Sequence, residues 1–178
     1  MDTQRKRERI GSGRTRSRVG VIKTRPETVL DDIAGLMRRL DYGRALPRDR
    51  RTILKDNISW HLPYLSSNST PWQIEGVVRT LCEDGFADLL GLHNQTVVTD
   101  AHKGDELNKF AGVYRRYGVR TEDNFSPDCR WVTIEPKAKL AVLERIFGEV
   151  RVPEVMLGSN VVHLPTVKTH VYTTMTGP

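Results

Sequence analysis

Cysteine is scarce in this sequence: Cys82 and Cys129 are the only two among 178 residues. They lack the close spacing of a metal motif and are too few for a disulfide framework. A reducing compartment is therefore expected, with Cys82 a buried thiol on the apolar face of a helix. No apolar run approaches the about twenty residues of a membrane span, and no signal-peptide core follows the N-terminal charges. The cytoplasm is the expected setting, without a membrane partner. Three common signatures are also missing: the Walker phosphate loop, the glycine pattern of dinucleotide sites, and the G-x-S-x-G nucleophile turn. Their absence removes the nucleotide-hydrolysing, dinucleotide-binding and serine-hydrolase classes that depend on them.

Charge of one sign is plentiful only at the start. Residues 1–18 hold seven of the 28 basic residues against Asp2 and Glu8, so they carry +5 of the chain's net +6. Residues 19–178 carry 21 basic and 20 acidic side chains and are close to neutral. The basic tail has no apolar periodicity, so disorder in isolation is expected. It suits an electrostatic arm for nucleic acid, or else a solubilising extension or a start codon placed upstream of the true one. It contains no aromatic residue for stacking on bases, which favours the second reading. Any nucleic-acid partner is expected through this tail only.

The remainder, 19–178, reads as one domain in which strand patterns alternate with amphipathic helices. Val19-Gly20-Val21-Ile22-Lys23 suits a first strand, and Pro26 opens a helix with Val29, Leu30, Ile33, Leu36, Met37 and Leu40 on one stripe. Thr52 to Ile58 predicts a buried strand. Thr70-Pro71-Trp72-Gln73 predicts a capped helix start, since threonine caps free amides and proline suits the first helical position. A third strand is expected to end near His93, and a helix to span Asp105 to Tyr117 with Gly118 just beyond it. Thr121 to Asp128 reads as loop, Trp131 to Ile134 as strand, Lys137 to Phe147 as helix, and Val161 to Leu164 as the final strand. This alternation predicts an α/β fold of three layers: a mostly parallel sheet with helices on both faces.

Ligands of such sheets bind beyond the carboxyl ends of the strands. Three polar clusters follow predicted strands there: Asn57 to Thr70, His93 to Thr96, and Lys168 to Thr174. Lys55 interrupts an apolar strand, where a cation is costly unless paired. It suits a phosphate or carboxylate contact, or a pairing with Asp56 or another carboxylate; Asp56 itself should face the opposite side of the strand. Lys168 and His170 would share one face of an extended segment and serve an anionic substrate in acid–base work. His61, His93 and His170 are of a type that binds metals, but no two have a local ligand spacing, so no metal is expected. Trp60 and Trp72 flank the first cluster and suit either a pocket wall or the core.

Four motifs carry a resemblance: Ile53-Leu54-Lys55-Asp56-Asn57-Ile58-Ser59-Trp60-His61, Ser69-Thr70-Pro71-Trp72-Gln73, Gly91-Leu92-His93-Asn94-Gln95-Thr96-Val97-Val98 and Leu164-Pro165-Thr166-Val167-Lys168-Thr169-His170. In this order they resemble the domain of unknown function 362 family, from Val19 to the last residue. The resemblance implies a fold and a site, without a reaction. It supports Lys55, Lys168 and His170 as catalytic residues. Asn57, Ser59, His61, Ser69, Thr70, His93, Asn94 and Thr169 are the expected ligand contacts. Full members continue beyond the Lys-Thr-His motif, so the chain is expected to be the N-terminal half of a longer protein, with a fold incomplete at its C-terminus. The cysteine-rich segments of some members have no counterpart here. The order of motifs also resembles that of nickel-cofactor lactate racemases, a likeness of layout. The leading expectation is therefore a small anionic ligand bound by part of an enzyme. A racemase- or isomerase-like site with a metal-containing cofactor, a nucleic-acid-binding protein and an inactive fragment are the alternatives.

Overall fold

The computed structural model of the chain describes residues 17–137, 140–170 and 174–176. Strand β1, Thr52–Asp56, is the axis of the sheet, and its first three side chains, Thr52, Ile53 and Leu54, are fully buried. It pairs in parallel with β2, Leu89–His93, on one side and with β6, Asn160–Leu164, on the other. Strand β3, Arg120–Asp123, adds in parallel to β2, giving the order β3-β2-β1-β6. The chain is therefore an α/β protein with an all-parallel four-stranded sheet flanked by helices. Trp131–Ile134, β4, is a strand as expected but stands outside this sheet, antiparallel to β5, Val150–Pro153. Lys168–His170, β7, likewise pairs antiparallel with β8, Thr174–Thr176.

Helix α3, Pro71–Glu83, starts where the sequence places it: Thr70 is extended, its hydroxyl accepts the Gln73 amide at 3.3 Å, and Pro71 opens the helix. It stops at Gly85, whose φ of 87° lets the Phe86 amide turn back to the Leu81 carbonyl at 3.0 Å. Gly118 plays the same part after α5, Phe110–Arg116. Along α3, Ile74, Val77, Val78 and Leu81 are buried against Leu54, Leu89 and Leu164 of the sheet, and α1, Val29–Arg39, adds Ile33 and Met37 to that cluster. The opposite face, with Ile53, Leu90 and Leu92, is covered by Val155 and Met156, the latter pair from a 3-10 helix at Glu154–Met156. The connections from β1 to β2 and from β2 to β3 carry α3 and α5, which pack on one face, and the segment that returns to β6 covers the other through Val155 and Met156.

Five sequence expectations are corrected. Val19–Lys23 is not a strand; Val19 and Val21 are exposed, and a Cβ on Gly20 would meet Leu36 and Leu40, so the segment lies along α1. An apolar run by itself does not supply a ladder partner. The helix expected over Asp105 to Tyr117 is two helices, α4, Ala101–Leu107, and α5, parted at Lys109 with φ 68°. Thr121 to Asp128 is not all loop, because edge strand β3 takes in Thr121, Glu122 and Asp123. Cys82 is exposed, since it lies about 100° round the helix from Leu81, at the rim of the apolar stripe. The helix expected from Lys137 begins at Ala141 and runs to Phe147 as α6, with Leu143, Ile146 and Phe147 exposed. A short helix α2, Tyr42–Ala45, precedes β1. The basic tail expected over 1–18 lies, apart from 17 and 18, outside the described residues. Among the described residues no helix is long and apolar enough to cross a membrane.

Candidate functional site

All four strands of the main sheet point the same way, so Asp56, His93 and Leu164 end on one edge. The chain leaves β1 toward β2, while β6 lies on its other side. The loops therefore part between β1 and β6, the position at which open parallel sheets form a crevice.

The loop after β1 is tied into this crevice at several points. The Ser69 amide donates to the Asn57 carbonyl, and the Asn57 amide donates to the Ser69 hydroxyl, both at 2.9 Å. The Ser69 hydroxyl in turn donates to the Leu164 carbonyl. Asn68, with no exposed surface, accepts the Ser59 and Trp60 amides at 2.8 and 3.0 Å, and its amide group donates to Leu62 O and Asn108 Oδ1 at 2.9 and 2.8 Å. Thr166 closes the other wall by donating to the Asn68 carbonyl at 2.6 Å. Ser69 and Thr70, expected as ligand contacts, thus have structural partners here: one staples two strand ends and the other caps α3.

Two lysines stand on this edge. Lys55 is partly buried, and its Nζ donates to the Asp56 carbonyl at 2.9 Å. Burial lowers its pKa, and the Asp56 charge opposes that shift. Lys168 donates to Ser59 Oγ at 2.6 Å and to Ser67 O at 2.7 Å, and burial lowers its pKa too. Asn57 joins the same network, giving its Nδ2 to Ser67 O at 2.9 Å and receiving the Ser59 hydroxyl at 3.0 Å. Among the described residues, these ammonium groups donate to neutral oxygens rather than to carboxylates. A cavity of about 110 Å³ opens at the ends of β1 and β2, lined by Lys55, Asp56, Asn57, Ile58, Asn94 and Thr96. It is large enough for a group of a few heavy atoms.

Asp56 points to the other side of β1, as alternation requires, and meets a buried polar array. Its Oδ2 accepts the Tyr114 hydroxyl at 2.8 Å, and its Oδ1 lies 3.3 Å from His93 Nδ1. The second ring nitrogen, Nε2, faces Asp105 Oδ1 at 3.6 Å. Both atoms of that second contact are buried and make no hydrogen bond. Burial alone opposes charge on His93, but the Asp56 hydrogen bond and the fields of Asp56, Asp105 and Asp123 prevail and raise its pKa. Burial pushes Asp105 up to about 6, with His93 opposing and Asp56 and Glu106 reinforcing. The two flanking carboxylates thus favour the charged form of the imidazole, with Asp56 on one side and Asp105 on the other.

The remaining expected residues spread out. His61 lies in the loop beside Gly104 of α4, with Nδ1 buried and without a hydrogen bond. Asn94 is exposed, accepts Asn124 Nδ2 at 2.6 Å and lines the cavity. Lys168 and His170 share one face of β7, and Thr169 points the opposite way and is exposed. Among the described residues no three His, Cys, Asp or Glu side chains are placed to hold a metal ion, so His61, His93 and His170 do not converge. Trp60 and Trp72 are both substantially exposed; Trp72 lines a separate cleft of about 380 Å³ with Thr24, Arg25, Pro26 and Val29. Sequence reasoning does not reach Asp105, Tyr114 or Asn68 as members of the site. Asp105 and Tyr114 read as the start and inner face of one helix, and the break between α4 and α5 that turns both toward His93 carries no local signal. No protein-family model matches this chain, and neither a curated protein nor a solved structure does.

Proposed function

We propose that this α/β chain binds a small anionic molecule at the carboxyl edge of its sheet, as part of an enzyme's active site. The observation that carries this reading is the pair Lys55 and Lys168: two partly buried ammonium groups at the carboxyl edge, Lys55 lining the cavity and Lys168 tied to Ser59 and Ser67 beside Asn57, each hydrogen-bonded to neutral oxygens. A buried cation without a carboxylate partner is costly, and an anionic ligand offsets that cost. Asp56, whose charge acts on Lys55, is hydrogen-bonded to His93 and Tyr114 on the other side of β1 rather than to the ammonium. Asn57 and Ser59 fix Lys168 in place: Ser59 accepts its ammonium and donates to Asn57, whose amide group donates to Ser67 O. The size of the cavity favours a phosphate, sulfate or carboxylate group over a whole nucleotide.

Thermal denaturation in the presence of inorganic phosphate, sulfate and short dicarboxylates tests the reading. A ligand bound by the folded state alone raises the melting temperature in proportion to the logarithm of its concentration. The expected result is a concentration-dependent rise that is lost in Lys55→Gln and Lys168→Gln. Absence of a rise with every anion, or equal rises in wild type and both variants, sinks the proposal.

A further inference from the structure

The array behind Asp56 gives the anion site a second, titratable component. Asp56 belongs to both: it lines the cavity beside Lys55, and it is bonded to His93 and Tyr114. His93 is almost wholly buried at 2% exposure, yet its Nε2 makes no hydrogen bond and faces Asp105 Oδ1, which makes none either. A neutral imidazole with its proton on Nδ1 would leave a lone pair on Nε2 opposed to a carboxylate. An imidazolium instead turns an N–H toward each aspartate, Nδ1 toward Asp56 Oδ1 at 3.3 Å and Nε2 toward Asp105 Oδ1 at 3.6 Å. The charged and titratable groups facing the ring are Asp56 from β1, Asp105 from α4, Asp123 from β3 and Tyr114 from α5. Of the three carboxylates, Asp56 and Asp105 flank the ring, while Asp123 also meets His102 Nε2 of α4 at 3.2 Å.

We infer that anion binding beside Lys55 is coupled to protonation of His93, which offsets the Asp56 charge held on the other side of β1 from the ligand. The inference rests on the anion-site reading and adds to it a proton that enters with the ligand. With the imidazolium in place, Asp56 is neutralised from behind and the cavity presents Lys55 as its net charge. With a neutral ring, the uncompensated Asp56 carboxylate opposes an incoming anion from behind the strand. By linkage, a ligand that favours the protonated ring must raise proton occupancy on binding. His93 acts here as a positioning residue, working through Asp56 rather than touching the ligand.

Sulfate is the suitable probe, because its own charge does not change near neutral pH. Isothermal titration calorimetry of the full chain from about pH 6 to about pH 8.5, in buffers of differing ionisation enthalpy, reads both affinity and proton uptake. The expected result is net proton uptake and an affinity that weakens with rising pH, by at most about tenfold per pH unit for one linked proton. His93→Gln should bind sulfate with no proton uptake and a flatter pH profile, and Asp105→Asn should shift the wild-type profile to lower pH. Deprotonation of Lys55 also weakens binding at high pH, so a slope that survives unchanged in His93→Gln overturns the coupling and assigns it to the lysine. Binding without proton uptake overturns the coupling alone. Absence of sulfate binding at every pH overturns both the coupling and the anion site. Two-dimensional NMR of the imidazole rings, with His93→Gln to assign the His93 signal, checks that the variant remains folded.

Discussion

Lys168 and Ser59 are 109 residues apart in the chain and meet through a 2.6 Å hydrogen bond from ammonium to hydroxyl. The contact joins the start of β7 to the loop after β1, and among the described residues it places a cation that makes no ion pair with a carboxylate. Replacing Lys168 by glutamine keeps a donor and removes the charge. Affinity for sulfate is expected to fall about 10- to 100-fold, the range for losing one hydrogen bond to a charged group. Because the ammonium is only partly buried, the melting temperature without ligand should change little. Calorimetry together with a thermal scan separates the two effects.

Asn68 is the strongest single anchor of the loop. It is fully buried and bonded to backbone or side chain at Ser59, Trp60, Leu62 and Asn108. Asn68→Ala leaves several of those groups unpaired in the interior, at a cost of about 3 kcal/mol or more. Urea denaturation should show a lower midpoint with an unchanged slope, since the surface exposed on unfolding is the same.

The pH dependence of stability follows from His93 and Asp105, whose folded-state pKa values are both raised. The folded chain therefore holds more protons than the unfolded one, and stability falls as pH rises through this range. For Asp105 the window runs from 3.8 to about 6, and for His93 it begins at 6.5 and extends to its higher folded value. The stabilisation from His93 is complete below 6.5 and is lost above the folded pKa. Melting temperature should be higher near about pH 5.5 than near about pH 7.5, and the difference should shrink in Asp105→Asn. A melting temperature that rises over this interval contradicts the assignment.

Gly76 sets the spacing of α1 on α3. A Cβ placed there would lie 2.8 Å from Ile33 Cδ1 and 3.0 Å from Ile33 Cβ. Gly76→Ala gains helix propensity but forces the two helices apart, for a net loss of about 1–3 kcal/mol. Adding Ile33→Val to Gly76→Ala should recover part of that loss, which a double-mutant cycle in urea measures.

Much of the site's frame is legible in the residues. Thr70-Pro71 marks the start of α3, Gly85 and Gly118 mark helix ends, and β1, β2 and β6 lie where their apolar runs place them. Each is a local signal, carried by a cap, a left-handed turn or a buried run. Long-range decisions are not visible in this way. Asn108 breaks a helical stretch because its side chain serves Asn68 and the Gly104 carbonyl, a reason that exists only in the folded chain. Arg120–Asp123 is polar throughout and becomes a strand because the free edge of β2 is available to it. The Asp56–His93–Asp105 array combines three elements, and nothing in the spacing of those residues announces it.

Ser69 ties the exit of β1 to the exit of β6 through Asn57 and Leu164, and Thr166 ties the next turn of chain to Asn68. The two walls of the crevice are thereby joined directly to each other. A ligand arriving there has little to rearrange, so its association rate should be set by diffusion and electrostatic attraction rather than by a closing step. Differences in affinity among anions would then appear almost entirely in how long each one stays.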